Sequence, residues 1–144
     1  MPIRNVVFDV GNDLVPWDPA GIETRAFGKT RVEAEGFVPP LRGHPIWLAV
    51  NRGELSLEEA KRRYVADHGF APEDIDALWE ALYASFPLIE DTRVMMGELK
   101  SAGYRLFAIT DNVHEIVAQL KRDYDFFDLF EVAAVSAELG YLKP

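Results

Sequence analysis

The sequence contains no cysteine, which removes disulfide frameworks, thiolate metal sites and thiol redox chemistry together. No apolar run approaches the roughly 20 residues that cross a bilayer, and the apolar start around NVVFDV carries an acid instead of a cleavage site. Basic residues are scarce. There are 15 of them against 24 acidic residues, and the net charge of -9 opposes docking on nucleic acid or an anionic membrane. These absences leave a soluble, cytoplasmic protein that acts on small molecules or on other proteins. An anionic substrate would need a local positive field of its own.

The remaining composition is that of a folded domain. At 144 residues, 49% hydrophobic and 27% charged, the chain can build one core with room for an insertion. Asn5 to Val10 form a β-branched and aromatic run expected to be a strand buried on both faces, with Asp9 at its carboxyl end and Gly11 breaking it. Helical text follows to about Asp91. Asp18-Pro19 reads as a cap and first helical position, Ser56 and Glu59 as a capping box, and Pro72 as another helix start. Ile75, Leu78, Trp79, Leu82 and Phe86 then make one apolar stripe, where Trp79 and Tyr83 read as packing residues. Lys29 to Gly53 reads as loops around a short segment, Ile46 to Val50.

Downstream, Thr92 to Ala102 predicts a helix stopped by Gly103, and Arg105 to Ile109 a strand. Val113, Ile116, Val117 and Leu120 mark the next helix, and Glu131 to Val135 another strand. Helices alternating with apolar strands imply parallel βαβ units. The excursion of about 75 residues after the first strand far exceeds an ordinary connection and predicts an inserted subdomain. The expected architecture is therefore α/β: a Rossmann-like parallel sheet core of about three strands, formed by residues 1–16 and 91–144, with an α-helical cap over 17–90.

In such sheets ligands sit beyond the carboxyl ends of the strands. Asp9 follows the first strand, Thr110-Asp111-Asn112 the second, and Lys143 lies shortly past the third. Asp9 would attack phosphorus or an alkyl-halide carbon to give a covalent intermediate. Thr110 and the amides opening the next helix would hold anionic oxygens, and Lys143 would neutralise charge. Asn12, Asp111 and Asn112 are the candidates for substrate contact. Asp13 reads as a solvated or capping residue, and Asp111 as a charge at the start of a helix. His44, His68 and His114 match no zinc spacing and read as surface or packing residues, while Arg42, His44 and Trp47 are candidates for shaping a pocket.

VVFDVGNDLVPWDP, LFAITDN and VSAELGYLKP, in this order and each at a strand end, resemble the haloacid dehalogenase-like (HAD) hydrolase superfamily. The helical insertion resembles a cap of its first type. The first motif is similar to the branch with Asp-x-Gly-Asn or Asp-x-Gly-Gly that includes sugar-phosphate phosphatases. The resemblance implies that Asp9 is the nucleophile, Thr110 the phosphate-binding hydroxyl and Lys143 the basic residue. It also implies Mg2+ as cofactor, with the Asp9 carboxylate and Gly11 carbonyl as ligands, and a small sugar phosphate as substrate. A metal-free 2-haloacid dehalogenase is the alternative.

Where many members carry a general acid two residues after the nucleophile, this chain has Gly11. The family pattern also continues past its third motif to an acidic fourth motif, whereas the chain stops at Pro144. The expectation on that ground is an incomplete magnesium site and an edge strand at Asn5 to Asp9 open to homo-oligomer formation. In the extreme case the chain would be a catalytically incomplete fragment that only self-associates.

Overall fold

A computed structural model describes all residues from Met1 to Pro144. Strand β1 (Asn5–Phe8) leads into five helices, α1 (Pro19–Phe27), α2 (Lys29–Val32), α3 (Pro45–Asn51), α4 (Leu57–His68) and α5 (Pro72–Tyr83). The chain then runs through α6 (Glu90–Ser101), β2 (Arg105–Thr110), α7 (His114–Asp123), a 3-10 turn at Phe126–Leu129, β3 (Val132–Val135) and α8 (Ser136–Leu139). The architecture is thus α/β, with three parallel strands in the order β1-β2-β3 and a helical cap inserted after the first.

Local chemistry sets the helix ends. The Asp18 carboxylate accepts from Gly21 N at 2.9 Å, with Pro19 opening α1. Ser56 and Glu59 satisfy each other's backbone amides at 3.1 and 2.7 Å to start α4, and Gly69, at φ 68°, ends it in the left-handed conformation. Within the cap, α1 packs most extensively on α5, where Ile22, Ile75, Leu78 and Leu82 are fully buried. Glu23 is also fully buried. Its carboxylate accepts from Leu41 N at 2.9 Å and Arg42 Nε at 2.7 Å, and so is compensated where an unpaired charge would be costly.

Register fixes which side of the sheet is covered. Val7 pairs with Phe107 and Phe107 with Val132, so these side chains share a face, and Ile109 joins them two residues on. The opposite face carries Phe8, Leu106, Ala108, Thr110 and Val135, all buried and packed with Met96, Leu120 and Phe126 in one core. On the first face Val7, Ile109 and Val132 are 56%, 46% and 61% exposed. The expectation that β1 is buried on both faces is therefore incorrect: helices cover one side only, and burial alternates with the pleat.

Cap and core are joined by backbone groups. Leu57 N, at the start of α4, donates to Glu115 Oε1 at 2.8 Å; Gln119 Nε2 donates to Tyr83 O at 2.8 Å; and Tyr124 OH donates to Phe86 O at 2.6 Å. Gly53, at φ 73°, lies so close to α8 that a Cβ would collide with the Ala137 carbonyl oxygen. Gly69 has a similar φ of 68° and open space around it. Ala at either position meets the left-handed penalty of about 1 kcal/mol. Gly53→Ala is expected to lower the thermal midpoint well beyond Gly69→Ala, and equal shifts in calorimetry would contradict the close approach.

Candidate active site

The loops that follow β1 and β2, together with Leu142 and Lys143, line one cleft of about 360 Å³ between cap and core. Asp9 follows β1 directly, and its carboxylate is held from two sides, Oδ1 accepting from Val10 N at 2.7 Å and Oδ2 from Lys143 Nζ at 2.6 Å. The Lys143 backbone amide donates to Asp111 Oδ1 at 2.9 Å. One residue therefore ties the end of the chain to the loops after β1 and β2. The Asp9 and Lys143 side chains are 42% and 36% exposed, so solvent screens the pair and it contributes little to stability. Its effect is to aim an ammonium at the carboxylate.

The loop after β1 is tightly bound to itself. Asn12 adopts φ 64°, its amide donates to Val15 O at 2.6 Å, and its Oδ1 accepts from Trp17 N at 2.8 Å. Asn is among the few residues that tolerate the left-handed region at low cost. Asp13 Oδ2 accepts from Asp9 N at 3.1 Å, and this side chain caps the end of β1 and takes no part in the cleft wall.

Asp9, Gly11, Asn12, Asp111, Asn112 and Lys143 line the cleft. Thr110 does not; it is 2% exposed at the end of β2, and its hydroxyl makes no hydrogen bond within the chain. The amides expected to open α7 as anion donors are partly spent, since Asn112 N donates to Ser136 Oγ and Val113 N to Asn112 Oδ1, both at 2.9 Å. Asp111 lies before the Val113 cap and binds the Lys143 amide, so it is not the helix-start charge its position suggests. Arg42 and His44 do not line the cleft. Arg42 pairs with Glu23 and His44 caps α3, whereas Trp47 does form part of the wall.

Ser136 went unselected in the sequence although it immediately follows β3, the placement that singled out Asp9. Its hydroxyl accepts from Asn112 N and donates to Asn112 O at 3.2 Å, bracing the loop after β2 against the end of β3. Trp17, Asn51 and Phe86 also line the cleft; Trp17 lies within the first motif and Phe86 within the apolar stripe, but neither pattern points to a cleft position, and nothing in the sequence marks Asn51.

The sequence matches no family model. A Dictyostelium discoideum protein of uncharacterised function is 30% identical over 98 residues, which is 66% of this chain but only 43% of the relative, so the chain spans less than half of that protein. Among solved structures, the chain is similar to a HAD family enzyme from Bacteroides thetaiotaomicron in complex with magnesium and inorganic phosphate. The TM-score is 0.74 at 16% identity, over 99% of this chain and 73% of that one. A protein described as a predicted HAD-like family hydrolase from Porphyromonas gingivalis gives 0.69 at 20% identity, over 99% and 70%. The chain shares with them its fold, a Rossmann-like core with a helical cap.

The helix that carries Trp47 and Asn51 into the cleft depends on His44. Nδ1 of this residue accepts from Ile46 N at 3.2 Å, and its ring, 4% exposed, stands 4.5 Å from that of His68. Burial, and then the neighbouring His68, holds the His44 pKa below its ordinary value. The folded state thus binds fewer protons than the unfolded state. The stabilisation is complete above the unfolded pKa of about 6.5 and is lost as pH falls through the folded value. Thermal melts from pH 8 to pH 5 should show this loss in the native chain and a smaller one in His44→Asn; identical profiles would remove His44 as the cause.

Proposed function

We propose that this chain is a HAD-type hydrolase that cleaves small phosphomonoesters through an aspartyl-phosphate on Asp9, with magnesium as cofactor. The observation that carries this reading is Lys143 Nζ at 2.6 Å from Asp9 Oδ2, facing a cleft closed by the cap. A carboxylate attacks a phosphate dianion poorly unless the like charges are offset, and an ammonium at this distance offsets them. Asp9 Oδ2 bonds to phosphorus as the ester P–O bond breaks and the alcohol leaves; water then cleaves the acyl phosphate, releasing inorganic phosphate and restoring Asp9. The Val10 amide fixes the carboxylate's orientation. Asn12, Asp111 and Asn112, which line the cleft, contact the substrate; Thr110 lies buried behind them at the end of β2, and its phosphate-binding role rests on the family resemblance alone. Residues 1–16 and 91–144 act as the core and 17–90 as a first-type cap, in the cytoplasm.

No three acids or histidines gather into a metal cage. The cleft does offer the Asp9 carboxylate, the Gly11 carbonyl and the second Asp111 oxygen, all hard ligands. This fits magnesium, which is commonly held by one or two carboxylates plus waters and substrate phosphate. When bound, magnesium supplies positive charge to the phosphoryl oxygens. The magnesium and phosphate seen with the Bacteroides enzyme support this reading.

Phosphate release from an aryl phosphate should need magnesium, stop with chelator, and fall about 1,000-fold or more in Asp9→Asn, as for loss of a covalent nucleophile. Release unchanged in the variant would overturn the reading, and metal-free halide release from a 2-haloacid would replace it with dehalogenation.

Copies of the chain are also proposed to self-associate along the free edge of β1 and the apolar face beside it. Val7, Ile109 and Val132 are the half-exposed groups that support this. Sedimentation velocity should show a concentration-dependent dimer that Val7→Lys weakens; a monomer at all concentrations would oppose it.

A further inference from the structure

The geometry points to an aryl phosphomonoester as the substrate class, in place of a sugar phosphate. This inference rests on the phosphomonoester reading above and adds the chemistry of the leaving group. Two independent features of the cleft carry it.

The first is the apolar part of the lining. Trp17, Leu41, Trp47, Leu48 and Phe86 of the cap compose it with Ile116 of α7, and Trp17 stacks on Trp47 with ring centroids 5.9 Å apart and planes at 9°. The polar side chain on that side is Asn51, whose Nδ2 already donates to Trp47 O at 2.9 Å. No charged residue of the cap reaches the cleft. Beyond the phosphate end, where Asn12, Asp111 and Asn112 stand, a polyhydroxyl leaving group would find the single free acceptor Asn51 Oδ1 for several hydroxyls, and each hydroxyl left unpaired loses its water without compensation. A flat apolar ring gains burial against the partly exposed Trp17 and Leu48, with Trp47 packed behind Trp17. The volume of about 360 Å³ suits a small ligand.

The second is proton supply. The titratable residues lining the cleft are Asp9, Asp111 and Lys143. Asp9 is the nucleophile and Asp111 Oδ1 is an acceptor for an amide, while the Lys143 ammonium is directed at Asp9. Gly11 has no side chain to act as an acid, and Asp13 is turned to the Asp9 amide. A leaving alkoxide therefore has no committed proton donor. General acid catalysis is worth about 10²–10⁴-fold, so its lack penalises sugar esters. A phenolate, with the conjugate-acid pKa of about 10 seen in tyrosine, departs without it. The P–O bond breaks, the electron pair stays on the phenolate oxygen, and solvent protonates it.

Trp17 is tied to the nucleophile loop through Asn12 Oδ1 and is the specificity residue to test. With magnesium, kcat/KM for phenyl phosphate should exceed that for a hexose 6-phosphate about 100-fold or more. Trp17→Leu should reduce the ratio of phenyl phosphate to acetyl phosphate efficiency about tenfold. A binding measurement independent of turnover accompanies these: tryptophan fluorescence should report phenylphosphonate at least about tenfold tighter than methylphosphonate. Equal or better use of the hexose phosphate would overturn the aryl inference and leave the phosphatase reading intact. Failure of both esters and of the acyl phosphate, acetyl phosphate, would overturn the phosphatase reading. In that case a retained preference for phenylphosphonate still supports the aromatic site, and equal binding of the two phosphonates overturns it. If Trp17→Leu does not fold, Leu48→Gln, at a partly exposed cleft position, takes its place with the same expected loss of aryl preference.

Discussion

Parallel, in-register pairing of β1, β2 and β3 is the constraint from which the site descends. Because Phe8 lies beside Ala108, and Thr110 beside Val135, the residues that follow each strand emerge along one rim. Backbone hydrogen bonds set that alignment, so a carboxylate near the amino end of the chain and an ammonium near the other end can meet at 2.6 Å without a strong attraction of their own. The loops then convert alignment into direction. Asn12 in its left-handed turn and Ser136 against Asn112 hold the side chains that the rim brings together.

The cap completes what the sheet begins. Its helices pack about a row of aromatic rings, Trp17 on Trp47, Trp47 near Trp79, and Trp79 edge-on to Tyr64. The row runs from the cleft wall into the cap interior, so Trp17, although it stands in the loop before α1, is backed by packed rings. Glu23, fully buried, anchors Leu41 and Arg42 and thereby the segment that enters the cleft at Leu41 and Gly43. The wall is accordingly pre-organised, which reduces the conformational entropy lost on binding.

Features with a local cause were legible in the sequence. The capping box at Ser56 and Glu59, the proline-led helices and the stop at Gly103 each depend on a few adjacent residues. The meeting of Asp9 and Lys143 was legible because the loops of a parallel sheet emerge at one end of its strands. The bare face of the sheet was not. Phe107, Ile109 and Val132 are as apolar as their buried neighbours, and hydrophobicity does not say which face a helix will cover. Glu23 is a residue type that is rarely buried, and its burial follows from packing against a segment some twenty residues away. Arg42 and His44 had pocket-like identities, but Glu23 and the start of α3 claim them.

The pairing of Asn5 with Arg105 closes a loop of roughly a hundred residues, whereas α1 and α5, or α3 and α4, meet within far shorter stretches. The insertion between them has its two ends tied, Ile89 N donating to Leu14 O at 2.8 Å, so β1 reaches β2 across a body already closed at its base. Asp9 thus sits beside the one sheet pairing that spans the whole cap, and a change that loosens this pairing would displace its carboxylate while leaving the β2–α7–β3 unit and the cap their own local contacts.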